Sequence, residues 1–192
     1  MQTPTRLLTY EEYLELPYTG DSTEFMDGKV VELNPPTGRH TDISFGLLFT
    51  LVGYIKAQGL NYVCRESSAQ VDVRYRGRKR RGRKPDLFIC TQEQWDRVSD
   101  VSAVFPKGDP PLLVVEILSP GNWRDDMGEK EADYATAEVR EYWRVKPMEQ
   151  WVEVLQLGEA RMYQVKRFAG GDRIKSEKLP ELVLTAAAVL EV

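Results

Sequence analysis

Imidazole is almost absent from this chain: of its 192 residues only His40 is a histidine. That excludes a multi-histidine zinc centre, a His-rich nuclease motif and a metalloprotease helix of the H-E-x-x-H kind. Cysteine is nearly as scarce. Cys64 and Cys90 both lie inside apolar stretches, so the expectation is two reduced core thiols and no disulfide framework. Long apolar runs are missing too. Nowhere do about 18 apolar residues follow one another, and MQTPTRLLTYEEYLEL at the start has no apolar core of the signal-peptide type. A soluble, cytoplasmic protein without a membrane partner is expected.

What is present is ordinary in amount and uneven in placement. The length fits one domain over residues 1–192, and such a chain hides roughly 70% of its unfolded surface without a metal or disulfide. With 42% hydrophobic and 29% charged residues it falls in the usual globular range. The net charge of -4 conceals an asymmetry. From Arg74 to Lys84 the chain reads RYRGRKRRGRK, with eight basic residues: Arg74, Arg76, Arg78, Lys79, Arg80, Arg81, Arg83 and Lys84. The 18 basic residues left stand against 30 acidic ones, a balance of -12. A block so charged repels itself, so the expectation is a hairpin tip or loop and not a packed element. It suits contact with a phosphate backbone through counterion release, or else it is simply a solvated loop. Tyr75 is its only aromatic residue, which leaves no aromatic ladder for stacking single-strand bases.

The pattern of elements is mixed. Thr9 and Glu12 form a capping box opening a short helix that stops before Pro17. Asp27-Gly28 separates two β-rich runs and signals a hairpin. Apolar residues at 43, 47, 48, 51, 52 and 55 predict a helix from Thr41 to Gln58, capped by Gly59. Strands are expected at 62–65, 69–74, 86–90, 112–118, 141–145, 151–157 and 160–166, with an acidic helix at 125–137 and a short one at 185–190. Residues 91–111 read as irregular. The fold class is mixed α/β: a central mixed sheet flanked by helices, with an N-terminal β-hairpin.

Three residues carry chemistry. Glu116 lies inside the apolar run LLVVEIL, where an unpaired carboxylate would cost several kcal/mol; it must be paired, protonated or bound to a cation. Asp86 opens another short apolar strand behind Pro85 and faces its polar mouth; alone it is an ordinary turn aspartate. Asp126, Lys130 and Tyr134 fall at i, i+4 and i+8 and share one helix face, which in isolation reads as solvated. Together, two carboxylates and a lysine are what metal-assisted phosphodiester cleavage needs: oxygen ligands for Mg²⁺ and a cation to offset charge in the transition state.

The spacing P-D-x(29)-E resembles the core of the PD-(D/E)XK nuclease superfamily. More closely, the chain resembles the bacterial "putative restriction endonuclease" family within it. The matching stretches are TYEEYLELP, EFMDGKVVELNPP, RHTDI, KPDLFIC, LLVVEILSP, DDMGEKEADY and EYWRVKP, in family order from residue 9 to 147. The resemblance implies a restriction-endonuclease-like core and a Mg²⁺-dependent endonuclease, with Mn²⁺ able to substitute. It implies Asp86 and Glu116 as metal ligands with the Ile117 backbone carbonyl, Glu24 as a further ligand or supporting acid, and Lys130 as the catalytic lysine. The superfamily's commonest lysine position, two after the glutamate, is Leu118 here; the family takes its lysine from the following helix. His40, Asp126 and Tyr134 are accessory candidates. Two positions depart from the pattern: Gly121-Asn122-Trp123, where a serine or threonine is common, and Lys146, where an aspartate is common.

The implied partner is nucleic acid, double-stranded DNA in the first instance, cut by a homodimer with two sites about a two-fold axis. A catalytically inactive nuclease-fold module gripping nucleic acid through the Arg74–Lys84 loop is the alternative. An oligomer-building structural protein is a third reading, which predicts no salt-dependent nucleic-acid affinity.

Overall fold

In a computed structural model, residues 6–17, 22–77, 79–100, 103–119 and 123–191 are described, with side chains in the last segment from Met127 onward. Thr9 accepts a bond from the Glu12 backbone while Glu12 reaches back to the Thr9 N–H, and this box starts α1 (Tyr10–Leu14). The chain then forms the hairpin β1 (Thr23–Met26) and β2 (Lys29–Glu32), turning at Asp27 and Gly28 with φ of 51° and 95°. Both turn residues need positive φ, and a Cβ at Gly28 would come within 2.8 Å of Leu7 Cβ.

Thr37 caps α2 (Gly38–Ala57), which starts three residues before the expected position. Gly59 ends it at φ 60°, with its N–H bonded to the Lys56 carbonyl and that of Leu60 to the Ile55 carbonyl, the paired bonds of a Schellman stop. β3 (Tyr62–Glu66), β4 (Gln70–Arg74), β5 (Arg80–Arg83) and β6 (Leu87–Thr91) follow. The stretch expected to be irregular holds α3 (Gln92–Val98) and β7 (Val104–Phe105). Thr91 and Gln94 make a capping box there, the sequence signal that marks the helix. Next come β8 (Leu113–Ile117), α4 (Trp123–Thr136), β9 (Glu141–Lys146), β10 (Trp151–Leu157), β11 (Tyr163–Ala169) and α5 (Ala186–Leu190). β11 begins three residues late because the turn is wider than Gly158-Glu159: the Gly158 N–H bonds the Met162 carbonyl and Arg161 has φ 56°.

The strands form two sheets, where one central sheet was expected. The larger has the order β11-β10-β9-β8-β6-β3, and the smaller β2-β1-β5-β4-β7. In the larger sheet β8 pairs antiparallel with β6 and parallel with β9, so α4 is a crossover between two adjacent central strands. Every residue of β8 is buried, as a strand covered on both faces should be. One face packs Leu87, Ile89, Val115 and Trp143 against α2 and α5. The other packs Phe88, Val114 and Tyr142 against Val71, Val73 and Phe105 of the smaller sheet and Tyr134 of α4. The two cysteines are free and buried, as expected.

Candidate active site

Glu116 is the fourth residue of β8, and its fellow on the same face, Val114, is core. The strand period therefore points a carboxylate into the layer beneath α4. Lys130 and Tyr134 stand four apart on α4, one turn on one face. Both reach Glu116: Lys130 Nζ donates to Oε2 at 2.8 Å and Tyr134 Oη to Oε1 at 2.6 Å. Burial pushes the Glu116 carboxyl up to about 7; Lys130 pulls it back, while Asp86 and Glu24 push it higher.

Asp86 immediately precedes β6. The β6–β8 register pairs Leu87 with Val115 and Phe88 with Val114; continued by one residue, it sets Asp86 opposite Glu116. Like charges directly across a sheet repel, and Lys130 on Glu116 and His40 beside Asp86 offset that repulsion. Asp86 Oδ2 is held by the Ile117 N–H at 2.7 Å and lies 3.1 Å from His40 Nε2. His40 sits in the first turn of α2, its N–H bonded to Thr37 Oγ1. Burial alone would pull its pKa down, but the Asp86 hydrogen bond and the charges of Asp86, Glu116 and Glu66 outweigh that and leave it raised.

The basic block is the expected hairpin tip only around Arg76 and Lys79; most of the remainder is packed strand. It folds back as β5 between β1 and β4, because acids sequence reading left unpaired neutralise it. Arg83 is buried between Glu24 (2.8 Å) and Asp133 (2.6 Å). Arg81 bonds both oxygens of Asp133, which also accepts from Tyr75, and Arg80 is held by Asp72 and Glu11 over the ring of Tyr10. Arg74 pairs with Asp72. Arg76 and Lys79 at the turn are exposed, and Arg78 lies outside the described residues. Lys84 donates to Ser22 Oγ at 3.0 Å, and burial lowers its pKa against the pull of Glu24. Glu24 itself is fully engaged: Oε2 takes Arg83 and Oε1 takes the Lys84 N–H at 2.9 Å.

A cavity of about 660 Å³ is lined by His40, Ser44, Glu66, Lys84, Asp86, Glu116, Ile117 and Lys130, among others. The proposed core residues thus meet at one opening, which residues 33–37 also line. Ser44 and Glu66, bonded to each other at 2.9 Å, belong to this wall and carried no motif signal. The Arg83–Asp133 strut was equally silent, since nothing in RRGRK marks which arginine is buried. The Asp126 side chain lies outside the described part of α4. Among the described residues no three His, Cys, Asp or Glu side chains are grouped to hold a metal ion. The carboxylates of Asp86 and Glu116 are oxygen donors of the kind that suits Mg²⁺, a cation that keeps waters and takes one or two carboxylates plus substrate phosphate, but both Glu116 oxygens are held here by Lys130 and Tyr134.

The family model "Uma2: Putative restriction endonuclease" matches residues 10–187. Among solved structures, the crystal structure of "a putative nuclease belonging to DUF820" from Anabaena variabilis ATCC 29413 matches with a TM-score of 0.76. It is 19% identical, over 96% of this chain and 98% of that one. A search of curated proteins returns no match.

Proposed function

The chain belongs to the Uma2 family, described as "putative restriction endonuclease", and on that premise we propose that it is a Mg²⁺-dependent endonuclease hydrolysing phosphodiester bonds of double-stranded DNA. The observation that carries this is the convergence of Asp86, Glu116 and Lys130 on one cavity, with the two acids opposite one another and the lysine bonded to one of them.

Asp86, Glu116 and the Ile117 carbonyl would hold Mg²⁺ or Mn²⁺, which supplies positive charge to the scissile phosphate and acidifies a water. The chain's own groups do the rest. The Ile117 N–H and His40 fix Asp86, and Tyr134 fixes the far oxygen of Glu116. Lys130 brings its ammonium to the cavity, where it offsets charge built up on phosphate in the transition state. Lys84, Arg76 and Lys79 contact flanking phosphates; Arg80, Arg81 and Arg83 serve as struts that shape β5. Glu24 anchors Lys84 and Arg83 behind the site and acts as the supporting acid. Two copies acting together suit cleavage of both strands, and a reducing cytoplasm suits the two free thiols.

A second reading, a nucleic-acid-binding module without turnover, is favoured by one observation: both oxygens of Glu116 are already engaged by Lys130 and Tyr134. Incubation with supercoiled plasmid separates the two. The nuclease reading expects nicking in Mg²⁺ or Mn²⁺ that chelation and Asp86→Ala abolish. Plasmid retained on the protein but never nicked would establish the module instead.

A further inference from the structure

α2 turns Ile43, Ser44, Leu47, Leu51 and Ile55 into the protein. At about 100° per residue its opposite face consists of Asp42, Phe45, Phe49, Gly53 and Lys56. A surface helix normally presents polar side chains on that face, yet Phe45 is 45% and Phe49 74% exposed. Gly53 is exposed as well, and a Cβ built on it would meet nothing within 4 Å. Glycine disfavours a helix interior relative to alanine, and here it leaves bare backbone facing open space. Asp42 and Lys56 are exposed, with no ion-pair partner among the described residues.

This stripe is self-complementary about Phe49. Phe45 and Gly53 lie four residues to either side of it, and Asp42 and Lys56 seven to either side. When two such helices run antiparallel about a two-fold axis at Phe49, each Phe45 falls on the partner's Gly53. Each Asp42 then falls on the partner's Lys56, and the two Phe49 rings meet at the axis. Large side chain meets bare backbone and acid meets base, which is what an isologous contact requires.

We propose that the outer face of α2 is a homodimer interface in which two copies of this chain pack antiparallel through Phe45, Phe49 and Gly53, flanked by Asp42–Lys56 pairs. The proposal stands on the helix alone and does not depend on the nuclease reading. Its consequence for the cavity is geometric. His40 and Ser44 are on the inward face of the same helix, so pairing the outer faces leaves both cavities open. The two His40 residues come to lie about 27 Å apart along the helix axis, at 1.5 Å per residue. A contact four turns long is small, so the dimer dissociates on dilution.

Sedimentation velocity of the full chain across a dilution series tests this. The wild type is expected to shift from dimer to monomer on dilution. Phe49→Glu, which sets two like charges at the axis, weakens the dimer by more than about tenfold, with an unchanged circular dichroism spectrum because the site is exposed. Asp42→Lys and Lys56→Asp each weaken it, and the double swap restores it. A monomer throughout the series, a dimer that Phe49→Glu leaves intact, or a double swap that restores nothing would each overturn the proposal.

Discussion

Glu116 is a carboxylate in a place that disfavours its charge, and the consequences are measurable without any substrate. Its folded pKa of about 7 lies above the ordinary 4.5 because burial penalises the charged form. Protonation therefore stabilises the metal-free fold: the gain is complete below the unfolded value and lost as pH rises through 7. At 1.36 kcal/mol per pKa unit the span is about 3 kcal/mol. In chelator-treated protein, Glu116→Gln is expected to gain stability over wild type between about pH 5 and pH 8. Urea unfolding at the two pH values measures it, and a difference that does not grow with pH contradicts it. The thiols give a second residue-scale prediction. Burial pushes Cys64 and Cys90 up to about 12, so neither forms thiolate near neutrality. A maleimide should label neither in the native protein and both after denaturation; fast native labelling of either would refute their burial.

At the scale of elements, α4 and β5 are held together by charge. Arg83 is buried between Glu24 and Asp133, and removing one member of such a pair leaves an uncompensated buried charge. Arg83→Met is expected to destabilise by about 3 kcal/mol in chemical denaturation, far more than an exposed arginine would. A loss within the range of ordinary surface substitutions would mean that the strut carries little. The sequence made the termini of most elements legible, because caps and turns are local: Thr9 with Glu12, Asp27-Gly28 and Gly59 each act within a few residues. The partition into two sheets was not legible. Nothing in the β4 and β5 runs says which strands they pair with, and the charge of RYRGRKRRGRK argued against a strand at all. The strand exists because Asp133 and Glu24 arrive from distant positions, and Asp72 from the hairpin's other strand, to neutralise it. The candidate site divides the same way. Glu116 declared itself by burial inside an apolar run and Lys130 with Tyr134 by helical spacing, whereas Ser44, Glu66 and the Arg83–Asp133 strut depend on tertiary contacts alone.

Over the whole molecule, the charge asymmetry takes a different form from a free basic arm on an acidic body. Much of the block's charge is spent inside the fold; among the described residues, Arg76 and Lys79 at the hairpin turn and Lys84 at the cavity are the cations that the proposed function assigns to phosphate. Each phosphate contact contributes about 0.9 to the slope of log affinity against log salt on duplex DNA. The double variant Arg76→Ala/Lys79→Ala should therefore flatten that slope by about 2 in fluorescence anisotropy titrations. An unchanged slope would place the DNA elsewhere on the surface.

The proposed nuclease function rests on Asp86 and Glu116 jointly holding a divalent cation. Calorimetric titration of the full chain with Mn²⁺ tests that most directly, comparing wild type with Asp86→Asn and Glu116→Gln. The expected result is saturable binding by the wild type that either substitution abolishes while the circular dichroism spectrum is preserved. Equal binding by all three proteins, or none by the wild type, would contradict it.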